Sequence, residues 1–185
     1  MPVPIPTIAQ KWTYQDMLEK LPAETCAEIL NNALYMSPAP SPEHQRVLKK
    51  FLRLIDAFVE GLRIGEVNIA PFDVILDQNN VVQPDLFFLT LDNISKVKAK
   101  GLEGSPDLIV EIISPSSFYR DTVEKKEQYE KYGVKEYWLV DPANKVIEVF
   151  SLSDDKYQLH AFVAESGKAS SVLLAGFEIN TSDLF

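Results

Sequence analysis

The sequence contains one cysteine, Cys26, and two histidines, His44 and His160, in 185 residues. A single thiol excludes an intramolecular disulfide and any multi-cysteine zinc site, and two imidazoles exclude a multi-histidine metal site. No apolar run approaches the roughly 20 residues that span a bilayer. The N-terminus, Met1-Pro-Val-Pro-Ile-Pro, lacks the cationic and then apolar pattern of a signal peptide, so a cytoplasmic protein with no membrane association is expected. Positive charge is also short: 18 Lys and Arg face 27 Asp and Glu, giving a net charge of −9. That balance excludes nucleic-acid binding that relies on bulk charge.

What is present is ordinary globular material, 46% hydrophobic and 24% charged, with ten Phe, seven Tyr and two Trp to build a core. The length favours one domain, residues 1–185, with 1–12 as an extended lead-in that holds three of the twelve prolines. Thr13 and Asp16 resemble a capping box for a helix over Tyr14–Lys20. Ala27 to Met36 reads as a hairpin about Asn31-Asn32. Ser41-Pro42-Glu43 starts a helix in which Val47, Phe51, Leu54, Phe58 and Leu62 recur at spacings of three and four. Strands follow at 67–69 and 73–76, then apolar strands at 81–89 and 108–113. The charged stretch from Arg120 to Tyr132 reads as a helix closed by Gly133. Residues 136–140 and 146–150 form a hairpin, with further strands at 157–163 and 171–174. This order describes an α/β (α+β) mixed sheet flanked by helices.

The chemistry lies in two acids set in apolar strands, Asp85 in Gln83-Pro-Asp-Leu-Phe-Phe-Leu and Glu111 in Asp107-Leu-Ile-Val-Glu-Ile-Ile. An ionised carboxylate in such a setting is costly unless it is paired or bound to a metal. If the two strands are neighbours, the carboxylates converge on one hard cation, and with a main-chain carbonyl and waters they make a Mg²⁺ site. The plainer alternative is that Asp85 caps a strand after Pro84 and Glu111 sits at an edge or in an ion pair. His44, alone at a helix start, reads as a packing or hydrogen-bonding residue. Ser114, Ser116 and Ser117 have no partner histidine and read as a chain bend.

Gln83-Pro-Asp-Leu, Pro106-Asp-Leu-Ile-Val-Glu-Ile-Ile-Ser-Pro-Ser-Ser, Asp121, Lys125, Tyr129, Gly133-Val134 and Glu136-Tyr-Trp-Leu-Val-Asp-Pro resemble the Uma-type restriction endonuclease family of the PD-(D/E)XK nuclease superfamily. The resemblance implies a restriction-endonuclease-like fold and a Mg²⁺-dependent DNA endonuclease, with Mn²⁺ as a substitute. It makes Asp85 and Glu111 metal ligands, with the Ile112 carbonyl beside them, and Glu28 an additional acid near the metal. Two residues after Glu111, where the superfamily places a catalytic Lys, this chain has Ile113. The resemblance assigns that role to Lys125 on the following helix, where Tyr129 shares its face. Lys126 projects about 100° away. Similarity to other nucleases of the superfamily implies a homodimer. DNA contacts are expected from Arg46, Lys49, Lys50 and Arg53, and from Lys96, Lys98 and Lys100. The competing reading is a non-catalytic nucleic-acid-binding or assembly module that retains the fold, favoured by the acidity and by Ile113.

Overall fold

Local capping chemistry sets the first elements. In a computed structural model that describes residues 10–22 and 25–185, α1 (Tyr14–Lys20) begins with Thr13 and Asp16 satisfying each other's backbone N–H groups. Residues 1–9 of the expected lead-in lie outside the described residues. Strands β1 (Ala27–Leu30) and β2 (Ala33–Met36) close over Asn31 and Asn32, at φ of 50° and 65°. Both asparagines take the left-handed conformation that a tight hairpin turn requires. Ser41 then caps α2 (Pro42–Leu62) by accepting the His44 N–H, with Pro42 in the first turn.

The rest of the chain is mostly strands: β3 (Gly65–Ile69), β4 (Val74–Asp77), β5 (Asn80–Val82) and β6 (Leu86–Thr90). After a 3-10 turn (Leu91–Lys96) come β7 (Val97–Lys98), β8 (Gly101–Glu103) and β9 (Leu108–Ile112). A π-helical turn (Arg120–Lys125) runs directly into α3 (Lys126–Lys131). Then follow β10 (Glu136–Asp141), β11 (Val146–Ser153), β12 (Lys156–Ala164), β13 (Lys168–Ser170), β14 (Glu178–Asn180) and α4 (Thr181–Leu184). Among the described residues, no helix is long and apolar enough to cross a membrane.

The fold is mixed α+β, with two large sheets in place of the single sheet expected. One has the order β2-β1-β5-β4-β8-β7 and the other β12-β11-β10-β9-β6-β3, while β13 and β14 pair by themselves. Strands β9 and β10 run parallel, with Glu111 opposite Leu139, and the π turn and α3 make the crossover between them. The second sheet is the middle layer. Against one of its faces, α2 packs Val47, Phe51, Ile55 and Val59 on Val110, Trp138 and Val140. Phe51 meets Trp138 edge to face, with ring centroids 5.5 Å apart. On the opposite face Phe87, Ile109, Tyr129, Tyr137 and Leu139 pack against Leu30, Val74, Val82 and Leu102 of the first sheet. Alternation along β9 puts Glu111 on this second face.

Three further expectations change. The strand expected over 81–89 is broken at Gln83-Pro84-Asp85, because Pro84 cannot donate to a ladder; β5 joins one sheet and β6 the other. Asp85 therefore stands at the crossing between the sheets and not within a strand. The strand expected at 171–174 is an irregular turn. The buried Glu136 carboxylate accepts from Trp138 Nε1 (2.7 Å), Ser171 Oγ (2.6 Å), Val172 N (2.7 Å) and Leu173 N (2.9 Å), which occupies the main-chain donors that a ladder would use. The helix expected over 120–132 begins as a π-helical turn.

Candidate active site

Where the chain passes from the first sheet to the second, four carboxylates meet. Glu28 comes from β1, an interior strand of its sheet, and is buried. Its Oε1 accepts the Gln83 N–H at 2.9 Å, which ties it to the segment that carries Asp85. Asp85 Oδ2 accepts the Ile112 N–H at 2.8 Å and lies 3.0 Å from His44 Nε2, on the first turn of α2. Glu111, on β9, is buried; the Asp85 N–H lies 3.4 Å from its Oε2. The fourth is Asp121, buried in the π-helical turn.

Lys125 stands among them. Its Nζ lies 2.7 Å from Glu28 Oε1, 2.9 Å from Glu111 Oε1 and 3.6 Å from Asp121 Oδ1. The side chain is only 5% exposed, so it is not a solvated lysine of a helix surface, although it does pair with Asp121. Tyr129, one turn on, donates its phenol to Glu111 Oε1 at 2.7 Å. Lys126 points elsewhere, with its ammonium 3.4 Å from the centroid of the Phe150 ring. The structure thus brings Glu28, Asp85, Glu111 and Lys125 into one cluster. Ile113 is partly buried against the apolar cluster of the second face.

Burial opposes the Lys125 charge, but Glu111, Glu28 and Asp121 outweigh it and hold the ammonium well above its ordinary pKa. Burial also raises Glu111 well above the usual carboxylate range; Lys125 opposes that rise, and Asp121, Asp85 and Glu28 add to it. Asp121 is raised chiefly by burial, with Lys125 and a Ser117 hydrogen bond opposing. Burial would lower His44, but the hydrogen bond and charge of Asp85, the Asp121 charge and the Ile112 main-chain carbonyl raise it.

The donor set fits a divalent cation by its chemistry. Glu28, Glu111 and Asp121 surround Lys125, Arg120 approaches Glu28, and Asp85 adds a fourth carboxylate beside Glu111, an excess of negative charge that a dication would relieve. Among the described residues Asp85 Oδ1 accepts no hydrogen bond, and Glu111 Oε2 has only the 3.4 Å contact. No three His, Cys, Asp or Glu side chains among the described residues form a metal shell by themselves. A cation here would draw on two carboxylates, main chain and water, the usual habit of Mg²⁺.

Three participants were not legible as such from sequence. His44 reads as a packing or hydrogen-bonding residue; its ring does hydrogen-bond, but to Asp85 within the cluster, with Nδ1 buried and unpartnered. Asp121 carries the resemblance without an assigned role, and the structure buries it beside Lys125. Tyr129 carries no chemical signal except its spacing, since Asp121, Lys125 and Tyr129 recur every fourth residue along one helix face. That spacing is the signal that finds them.

Of the cations expected to meet DNA, some are engaged elsewhere. Lys50 Nζ donates to the Leu184 carbonyl at 2.9 Å, and Lys98 Nζ to the Ser95 carbonyl at 2.7 Å. Arg46, Lys49 and Arg53 lie on the exposed face of α2, opposite the residues it buries.

The sequence profile of the Uma2 family, described as "Putative restriction endonuclease", matches residues 13–182. No curated protein matches the chain. Among solved structures, the chain is similar to a crystal structure from Anabaena variabilis ATCC 29413 described as "a putative nuclease belonging to DUF820". The two share 18% identity and a TM-score of 0.77, over 94% of this chain and 97% of that one.

Proposed function

The chain belongs to the Uma2 restriction endonuclease family, and on that premise we propose that it is a divalent-metal-dependent DNA endonuclease. The observation that carries the reading is a buried lysine, Lys125, held between Glu28 and Glu111 beside Asp85. In this reading Asp85 and Glu111, with the Ile112 carbonyl, hold Mg²⁺ or Mn²⁺. The bound ion would polarise a phosphoryl oxygen and lower the pKa of a water.

The protein's own residues do the positioning. Tyr129 and Lys125 fix Glu111 from one side, and the Ile112 N–H and His44 fix Asp85 from the other. Lys125 is kept cationic by its three carboxylates, so it cannot act as a general base. Its charge is instead preorganised to offset the negative charge that develops on the phosphoryl group. Glu28 holds that ammonium in place. The active form in this reading is a homodimer, since two cuts on opposite strands suit a twofold assembly.

Incubating the protein with duplex and single-stranded DNA in Mg²⁺ or Mn²⁺ tests the proposal. The expected result is cleavage that is lost with chelator and in Asp85→Ala, Glu111→Ala and Lys125→Met. Cleavage that survives in all three variants overturns it. The non-catalytic alternative draws on the charge of −9 and on Ile113 at the usual lysine position. It predicts no Mn²⁺ binding by calorimetry that Asp85→Ala abolishes.

A further inference from the structure

Arg120 opens the π-helical turn immediately before Asp121. Its Nη1 lies 3.6 Å from Glu28 Oε2, longer than a hydrogen bond, and its Cζ sits 4.7 Å from the centroid of the Tyr35 ring. The side chain is largely enclosed, at 17% exposure. Among the described residues, none of its N–H donors has a hydrogen-bond acceptor. A guanidinium carries five such donors in a rigid planar fork. Here the aromatic face and the Glu28 carboxylate fix the position of that fork, and its hydrogen bonds are left open.

The contrast with Lys125 points to what is missing. The Lys125 ammonium already lies between Glu28 at 2.7 Å and Glu111 at 2.9 Å, with Asp121 at 3.6 Å. A phosphodiester approaching the metal carboxylates meets a lining rich in negative charge, and Arg120 is the cation at that lining with hydrogen-bonding capacity in reserve. Arg46, Lys49 and Arg53 of α2 lie on its far, exposed face, and Lys50 is engaged by the Leu184 carbonyl.

Building on the nuclease reading, we infer that Arg120 is a substrate-binding residue. Its fork takes the non-bridging oxygens of a phosphodiester in a polynucleotide strand, and Tyr35 holds the plane of the fork. The plainer role, neutralising Glu28, predicts a change in stability and none in nucleic-acid binding.

The test uses the full chain with Ca²⁺ in place of Mg²⁺, so that binding is read without turnover. Fluorescence anisotropy follows labelled oligonucleotides of about 20 residues, single-stranded and duplex, across about 50 to 200 mM salt. One charge-assisted bidentate contact makes Arg120→Gln bind about 10- to 100-fold more weakly. The slope of log affinity against log salt falls by about 0.7 to 0.9 as one phosphate contact is lost. Arg120→Lys keeps the wild-type slope but binds more weakly, because a point charge replaces the fork. Mn²⁺ binding is retained in both variants, and any fall in melting temperature is smaller than that of Lys125→Met, since Arg120 meets Glu28 only at 3.6 Å.

Wild-type affinity and slope in Arg120→Gln overturn the inference and leave the nuclease reading standing. Should Arg120→Gln fail to fold, wild-type affinity in Arg120→Lys overturns it instead. A wild-type protein that binds neither oligonucleotide removes both readings together.

Discussion

Replacing Lys125 with methionine removes the ammonium that Glu28, Glu111 and Asp121 share, and leaves an aliphatic chain of similar reach. Breaking a buried ion pair by removing one partner typically costs about 3–5 kcal/mol, because the other partner stays buried without compensation. At about 2–4 °C per kcal/mol for a chain of this size, the melting temperature should fall by about 6–20 °C near neutral pH. The loss must depend on pH, and its sign follows from Glu111. Burial and neighbouring carboxylates already raise that group, and Lys125 is the largest influence holding it down. Without Lys125 the folded-state pKa climbs further, so the folded chain binds more protons than the unfolded one over a wider range. Stability then declines as pH rises through that range and recovers as pH falls toward the ordinary carboxylate value. Thermal unfolding by circular dichroism at about pH 8 and about pH 5.5 should show the larger wild-type-to-variant gap at the higher pH. A gap below about 1 kcal/mol at both values, or the same gap at both, refutes the account of Lys125 as counter-ion to the cluster.

Glu136→Gln keeps the shape of a buried carboxylate that accepts four hydrogen bonds but removes its charge and presents an amide donor to an N–H. A loss of about 2–4 kcal/mol is expected in denaturant titration, with faster amide exchange across residues 168–180. Asp107 accepts from Thr90, Asn93 and Lys135; burial opposes its charge, but these bonds, that of Lys135 foremost, hold its pKa below the ordinary value. A depressed acid contributes stability at neutral pH that is lost as pH falls through the folded-state pKa, so Asp107→Asn should be less stable at pH 7 and converge with wild type in strong acid. Tyr129→Phe removes a 2.7 Å donor to Glu111 and should cost about 1.5–3 kcal/mol in the same titration. A variant as stable as wild type would mean that Glu111 does not depend on that phenol.

The sequence reads well wherever local chemistry decides the backbone. The capping box before Tyr14, the paired asparagines of the first hairpin and the Ser41-Pro42 start of α2 each specify their element within a few residues. It reads less well where distant segments compete. Pro84 marks an interruption, but only the two-sheet arrangement shows that the chain changes sheets there. Ser171 to Leu174 has strand composition, and a glutamate 35 residues earlier captures its donors. Lys125 lies in a charged helix whose pattern suggests a wet surface, and its burial depends on β1 arriving from the other sheet. His44 is the same case in reverse. One imidazole on an amphipathic helix fits a core position, and its contact with Asp85 is fixed by how α2 docks on β6 and β9.

The π-helical turn from Arg120 to Lys125 also makes chain length a determinant here, alongside residue identity. Such a turn accommodates one residue more than an α turn, so it takes up a difference in length while keeping the following helix in phase. Deleting one residue between Asp121 and Lys125 would let the segment close to a regular helix, with Asp121, Lys125 and Tyr129 at spacings of three and four and still on one face. Inserting two residues there would instead turn Lys125 and Tyr129 about 200° away from Asp121. A single deletion should therefore spare the cluster, while a two-residue insertion should be as disabling as substitution of the lysine itself.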